Sequence, residues 1–284
     1  MVSDKGCLYL VATPIGNLED MSYRAVKTLE DVDYILAEDT RHSIKLLNHF
    51  DIHKKLVSYH EHNQYVKADS ILGDLKNGRK VALITDAGTP GISDPGSHLV
   101  LRCQEESIDY TIIPGPVAFV NALVISGQNT NRMVFEGFLP MKKKERQRRL
   151  EIISKDTRTI VFYEAPHKLK NTIKDLKSTL GGERSISFVR ELTKRYEEVI
   201  KMTLEEAEAY YKDMEIKGEF VLLIEGMSEE QVELERQEAL AEISMDDQMD
   251  EFIKQGLTKK DAIKAIAKER GLPKREVYQY FIDA

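Results

Sequence analysis

Short apolar, β-branched runs alternate with helical patterns over roughly the first 115 residues. Strands are predicted at 8–12, 33–37, 80–85 and 110–113, with another just ahead of 59–63, and helices at 23–29, 44–50 and 99–106. The strand runs are almost continuously apolar rather than alternating. This is the pattern of strands buried on both faces of a parallel sheet. From residue 131 the character changes. A strand at 133–138 leads through Leu139-Pro140-Met141 into a basic run at 142–149. Strands follow at 159–163, 185–190, 198–202 and 219–224, with helices at 168–180 and 204–211. The closer strand spacing after 185 predicts a more antiparallel arrangement.

Residues 228–243 are acidic and read as a solvated helix or linker. Beyond them, Thr258-Lys259-Lys260-Asp261 resembles a capping box. Ala262, Ile263, Ile266 and Ala267 then share one apolar face. Gly271-Leu272-Pro273 stops that helix, and another is predicted over 274–282, so the pair resembles a helix-turn-helix. The expected organisation is an α/β chain of two lobes plus a small helical tail. An N-terminal lobe with a parallel sheet covers 1–118, and a second lobe with a mixed sheet covers 119–227, including a basic linker helix over 142–155. An acidic linker and helix-turn-helix-like tail cover 228–284.

Composition narrows the function classes. The chain has 284 residues, 42% of them hydrophobic, enough for about two domains. Its longest apolar runs fall far short of the ~18 residues of a membrane span, and 7–12 is too short for a signal peptide. The two cysteines, Cys7 and Cys103, are far apart and form no CxxC. That excludes a disulfide scaffold and a cysteine-rich zinc site, and fits a cytoplasmic protein. The net charge of −7 argues at first against a nucleic-acid partner. It is unevenly spread, however: residues 203–251 hold 17 acidic and 3 basic side chains, and the rest of the chain is net basic.

Three small-residue loops follow strands: Thr13-Pro14-Ile15-Gly16, Asp86-Ala87-Gly88-Thr89-Pro90-Gly91-Ile92-Ser93-Asp94-Pro95-Gly96, and Pro114-Gly115-Pro116-Val117-Ala118. In an open α/β sheet, ligands bind beyond the carboxyl ends of the strands. Glycines there let the backbone approach a small polar ligand. None of the loops is GxGxxG or GxxxxGK[ST], so a Rossmann dinucleotide site and a P-loop are not supported. A polar group also lies at strand ends: Glu38, Asp39 and Arg41, then His60, Glu61 and His62. These residue types suit substrate positioning or acid–base work, although Glu38 or Asp39 could equally cap the next helix and pair with Arg41. His60 and His62 are poorly spaced for joint ligation from a helix, and no metal site is expected. Tyr163, Ala165, Arg190 and Lys194 follow strands of the second half. The run Lys142, Lys143, Lys144, Arg146, Arg148 and Arg149 is a candidate for phosphate-backbone contact.

Taken in order, Leu10–Asp20, Ala37–Arg41, Ser58–Asn63, Thr85–Gly96, Ile113–Pro116, Phe135–Pro140, Phe162–His167, Arg190–Lys194 and Lys217–Val221 carry a specific resemblance. The chain resembles the bacterial small-subunit ribosomal RNA 2′-O-methyltransferase I family of the tetrapyrrole (corrin/porphyrin) methylase superfamily. Lys168 stands where that family's pattern leads one to expect arginine. The resemblance implies a homodimeric two-lobed methylase that binds S-adenosylmethionine in the cleft without a Rossmann loop. It implies a cytidine ribose in the decoding centre of 16S rRNA, cytidine 1402 of the small ribosomal subunit, as substrate. On that reading Pro14, Ala87, Gly88, Thr89, Pro90, Ile92, Ser93, Asp94, Pro116, Ala118, Tyr163 and Ala165 hold the cofactor. Asp39, Arg41, His60 and Glu61 are the catalytic candidates, with no base chosen among them. Lys142, Lys143, Lys144, Arg146, Arg148, Arg149, Arg190 and Lys194 meet RNA. A tetrapyrrole methylase of the same fold and a non-catalytic rRNA-binding assembly factor are the alternatives.

Overall fold

A computed structural model describes residues 5–283. The chain divides into two compact units, 1–225 and 226–284. The first unit contains two five-stranded sheets.

The first sheet is made of β1 (Cys7–Val11), β2 (Tyr34–Ala37), β3 (Lys55–Ser58), β4 (Lys80–Ile84) and β5 (Asp109–Ile113), all parallel in the order β3-β2-β4-β1-β5. Alternate side chains of its inner strands enter two different cores. Leu8, Leu10, Tyr34, Leu36, Val81 and Leu83 pack with Ile71, Leu72 and Leu75 of α3 (Gln64–Lys76) and Leu99 and Cys103 of α4 (Ser97–Glu105). On the opposite face Val11, Ile35, Ala37, Ala82 and Ile84 pack with Ala25 and Leu29 of α1 (Tyr23–Asp31) and Leu47 of α2 (Thr40–His49). Burial on both faces accounts for the unbroken apolar runs, since period-2 alternation leaves no polar side. Each fully buried Leu or Ile contributes about 1.5–3 kcal/mol. Helix α3 was not among the expected elements, because its apolar residues 68, 71, 72 and 75 sit in a sequence otherwise rich in polar positions.

The second sheet runs β6-β7-β10-β8-β9. It is built from β6 (Met133–Phe138), β7 (Thr159–Glu164), β8 (Ser185–Arg190), β9 (Glu198–Thr203) and β10 (Phe220–Ile224). Only β6 and β7 are parallel, and β10 lies antiparallel between β7 and β8. One face carries α6 (Lys143–Ile153), α7 (Leu169–Leu180) and α8 (Leu204–Tyr211). The other carries α5 (Ala118–Ile125) through Ala122 and Leu123.

The second unit holds α9 (Glu229–Glu242), α10 (Met245–Lys254), α11 (Lys259–Glu269) and α12 (Lys274–Asp283). The acidic stretch thus forms a helix, whose N-cap Ser228 makes a capping box with Gln231. Thr258 caps α11, accepting from the Asp261 N–H, and Gly271 takes φ +64° just past its end. Met249, Ala262, Ile263, Ile266, Ala267 and Val277 form this unit's own core. No helix among the described residues is long and apolar enough to cross a membrane.

Candidate functional site

In the first sheet the chain leaves β1 toward β2 and leaves β4 toward β5, on opposite sides. The carboxyl ends of β1 and β4 therefore flank a topological switch point, where open α/β sheets bind ligands. The loops beyond these two strands are tied together. The Thr13 N–H donates to the Gly88 carbonyl at 2.9 Å, and the Gly88 N–H returns a bond to the Thr13 carbonyl at 3.1 Å. The Thr13 hydroxyl donates to the Thr85 carbonyl at 3.1 Å. The Thr89 hydroxyl reaches the Pro116 carbonyl at 3.3 Å, bringing in the loop after β5. Gly88 has φ +80°, which a side chain would strain. Ser93 also lies in the left-handed region at φ +64°, beside Asp94. Such strain in a non-glycine residue clusters at ligand sites.

The second sheet supplies the facing wall. Because β10 is antiparallel to β7 and β8, its first residue Phe220 pairs with Glu164 and Arg190, the last residues of those strands. The start of β10 and the ends of β7 and β8 therefore share one edge. There the Tyr163 hydroxyl accepts the Phe119 N–H at 3.3 Å, and its ring meets Phe135 and Phe138 with centroids 5.0 and 5.7 Å away. Glu164 is buried and fixed by its bonds from the Thr172 hydroxyl and, at 2.8 Å, the Ala165 N–H. Lys194 donates to both Glu191 and Glu219 at 2.9 Å. Burial opposes its charge, but the two carboxylates win and raise its pKa.

The two walls touch at Gly16. A Cβ placed there would lie 2.5 Å from the Lys194 Cγ and 3.0 Å from the Leu192 carbonyl oxygen. Only glycine lets the β1 loop pack this close to the loop after β8.

Between the walls is a cavity of about 560 Å³, within the usual size for a small-molecule site. Ile15, Val117, Phe138, Val189 and Leu192 give it apolar sides, and the 87–89 turn exposes backbone. Glu38, Asp86 and Asp94 make one region acidic. Burial, then the charge of Asp86, raises the pKa of Glu38. Burial, then Glu38 and Asp86, pushes Asp94 up to about 7. Three carboxyls in a half-buried cluster repel one another, so a cation bound here is favoured and a proton on Asp94 is easily exchanged near neutrality. Among the described residues, no group of three or more His, Cys, Asp or Glu is placed to hold a metal ion.

The cavity gathers many of the sequence candidates and leaves others aside. Ala87, Gly88, Thr89, Ile92, Ser93, Asp94, Ala118, Tyr163, Ala165 and Lys194 line it. Pro14 and Pro90 are buried outside its lining, and Pro116 acts through its carbonyl. Asp39 caps α2 and pairs with Arg41 at 2.7 Å in solvent, and this pairing holds its carboxyl well below the usual range. Neither lines the cavity, and nor do His60 and Glu61. Glu61 is exposed; the His60 backbone N–H donates to the Asn63 side-chain Oδ1 at 2.9 Å, and His60 acts electrostatically to lower the pKa of Glu38.

In the basic run, Arg146 turns inward to Asp175 at 2.5 Å and Thr172 at 2.7 Å. Arg149 binds the buried Glu136, and Lys142 pairs with Glu145 at 3.1 Å. Lys143, Lys144 and Arg148 are exposed without a side-chain partner among the described residues. Arg190 donates to the Lys217 carbonyl at 2.7 Å. Sequence reasoning named Glu38 among its polar candidates and Asp86 at the head of the 86–96 loop without assigning either to the cofactor site, and it did not assign Phe138, His167 and Glu219. Glu38 directly follows β2 and Asp86 stands two residues past the end of β4, positions the strand pattern does disclose. Glu219 precedes its strand, and only the antiparallel pairing brings it to the site.

Comparison with known proteins agrees with this architecture. Residues 7–208 match the family described as Tetrapyrrole (Corrin/Porphyrin) Methylases. The ribosomal RNA small subunit methyltransferase I of Halalkalibacterium halodurans is 49% identical over 98% of this chain and 95% of its own length. The protein of the same name from Synechocystis is 46% identical over 98% of both. The crystal structure of uroporphyrin-III C-methyltransferase from Thermus thermophilus shares the fold, with a TM-score of 0.56 at 17% identity over 78% of this chain and 94% of that one. The chain belongs to the tetrapyrrole methylases and, among them, to the ribosomal RNA small subunit methyltransferase I family.

Proposed function

We propose that this protein is a cytoplasmic S-adenosylmethionine-dependent methyltransferase that methylates the 2′-hydroxyl of cytidine 1402 in 16S rRNA, acting on the small ribosomal subunit. The observation that carries the reading is the cavity at the switch point: small-residue backbone and apolar sides beside an acidic region. Those surroundings suit a ligand that combines a flat base, a polar tail and a positive charge. The residues present fit S-adenosylmethionine: the turns at 87–89 and 117–118 offer backbone groups, Tyr163 and Phe138 offer aromatic faces, and Glu38 and Asp86 offer negative charge. When bound, that cofactor supplies an electrophilic methyl group.

What the chain must add is alignment and proton removal. Alignment comes from loops bonded to one another, so little motion remains to be frozen when the reactants meet. For proton removal, Asp94 is the best-placed group. It faces the cavity, and its pKa of about 7 leaves it basic enough to accept a proton and still ionised in a large fraction of molecules near neutrality. Glu38 and Asp86 keep it poised by repulsion. Asp39, Arg41, His60 and Glu61 act outside the cavity, on the path of the RNA. Lys143, Lys144 and Arg148 give α6 an outward cationic face for phosphate. Tyr110 and Ile112 on the edge strand β5, followed by Val120, Val124 and Ile125 on α5, are exposed apolar residues that support a homodimer.

Mass mapping of 16S rRNA from cells with and without the gene tests the assignment. Loss of one ribose methyl at cytidine 1402 is expected; an unchanged methylation map removes it.

A further inference from the structure

The second unit divides its charge sharply along the sequence. Residues 229–254, spanning α9 and α10, contain ten acidic and two basic side chains, whereas 259–283, spanning α11 and α12, contain seven basic and four acidic. Polyanions are therefore drawn to the last two helices and repelled by the first two.

The geometry of those helices is that of a docking module. Helices α11 and α12 are joined by the four residues 270–273, with Gly271 supplying the left-handed turn. This is the helix-turn-helix arrangement. Among the described residues of α12, one stripe is used for packing: Val277 is fully buried and Phe281 packs against the same core. The Tyr280 hydroxyl adds a bond to Asp246 at 2.8 Å. Arg275, Tyr278, Gln279 and Ile282, at i, i+3, i+4 and i+7, share a different face. All four are exposed, Tyr278 by 54% and Ile282 by 62%. Lys268, Lys274 and Arg275 have no side-chain partner among the described residues. Arg270, by contrast, is consumed internally by Gln248 at 2.7 Å and the Ile243 carbonyl at 2.5 Å.

We infer that α12 is an RNA-docking helix, with Lys274 and Arg275 on phosphates and Tyr278 stacked on an unpaired base. The inference rests on the proposed RNA substrate but not on the chemistry of the cleft. An A-form duplex hides its bases in a deep, narrow major groove, so a helix meeting RNA uses phosphates and splayed bases. A cationic face carrying one exposed aromatic ring and an amide side chain is suited to that. The apolar neighbour Ile282 extends the platform.

The test uses the full chain and a fluorescent transcript covering the decoding-centre region of small-subunit rRNA, titrated at several salt concentrations. A DNA duplex of the same sequence runs beside it. Cofactor affinity is measured by calorimetry as a check on the cleft, and circular dichroism as a check on folding. Lys274→Gln with Arg275→Gln is expected to weaken RNA binding about tenfold. It should also flatten the slope of log affinity against log salt by about 1.4–1.8, the loss of two phosphate contacts. Tyr278→Phe is expected to bind as the wild type does, and Tyr278→Ala to lose about fivefold or more with the salt slope unchanged. Cofactor affinity stays the same in all three. RNA affinity and salt slope equal to wild type in the double variant and in Tyr278→Ala overturn the inference while leaving the proposed substrate standing. Wild-type protein that does not bind the transcript, with cofactor still bound, overturns the RNA reading itself. Equal binding of the DNA duplex overturns the choice of RNA for this helix.

Discussion

At the edge of the first sheet, the cleft is walled by loops tied together through their backbone: Thr13 and Gly88 bond backbone to backbone, and the Thr13 and Thr89 hydroxyls donate to the Thr85 and Pro116 carbonyls. At the edge of the second sheet, the wall is made of side chains held by side chains, as Glu164 is by Thr172 and Lys194 by Glu191 and Glu219. A parallel sheet brings only carboxyl ends to one edge, and short loops follow from there. A mixed sheet brings the start of one strand beside the ends of two others, so residues distant in sequence meet. The first arrangement gives a rigid frame that tolerates few backbone changes. The second gives chemical variety that can be altered one residue at a time.

The largest expected effect breaks the chemistry without disturbing the frame. Asp94→Asn should lower single-turnover methyl transfer by about 10²–10⁴-fold. The wild-type rate should rise through pH 7 as Asp94 ionises, and the variant's residual rate should lack that rise. Stability should move the other way. The folded state raises the Asp94 pKa, so it favours the protonated form. That contribution is full below the ordinary carboxylate range and lost as pH climbs to about 7. Asn mimics the neutral acid, so the variant should melt higher than wild type at pH 8, with the advantage shrinking toward pH 4. A wild-type rate independent of pH between 6 and 8 would remove Asp94 from the role of base.

A smaller effect probes where the two walls touch. Gly16→Val should cost about 1–3 kcal/mol in urea unfolding through overpacking against residues 192–194, and should weaken cofactor binding. The matched change Gly73→Ala, which meets nothing within 4 Å and lies within α3, should be neutral or slightly stabilising. The smallest effect separates two kinds of basic residue on α6. Arg146→Met should cost about 1–2 kcal/mol of stability, because Asp175 and Thr172 lose a charged donor, with little change in RNA affinity. Lys143→Gln with Lys144→Gln should leave stability within about 0.5 kcal/mol and flatten the salt dependence of RNA binding. The reverse pattern would mean that the inward and outward roles had been exchanged.

The fold was largely legible because burial on both faces of the first sheet writes itself as continuous apolar runs, as at 80–84. The parallel first sheet followed from those runs alternating with helices, and the antiparallel character of the second from its closer strand spacing. Helix α10 was not anticipated, since four acidic residues mask its Met249 and Phe252 contacts. The three small-residue loops were legible as a group because glycine and proline punctuate strand ends. The division of labour among charged residues was less so. Nothing in a run of six cations says that Arg146 folds inward or that Asp39 spends its charge on Arg41. Glu38 and Asp86 stand one or two positions beyond their strands beside polar neighbours of equal promise, and the sheet geometry alone selects them.

The position of β10 has a consequence for how the molecule comes into being. It is the last strand of the first unit in sequence and the central strand of its sheet. A nascent chain that has emerged only as far as residue 203 has β7 and β8 in hand without the strand that joins them, and each offers an open edge. Domains assemble as synthesis proceeds from the N-terminus, so the first sheet can close early. The cleft cannot exist until 220–224 slide into the gap, which makes completion of the site one of the last folding events of this unit.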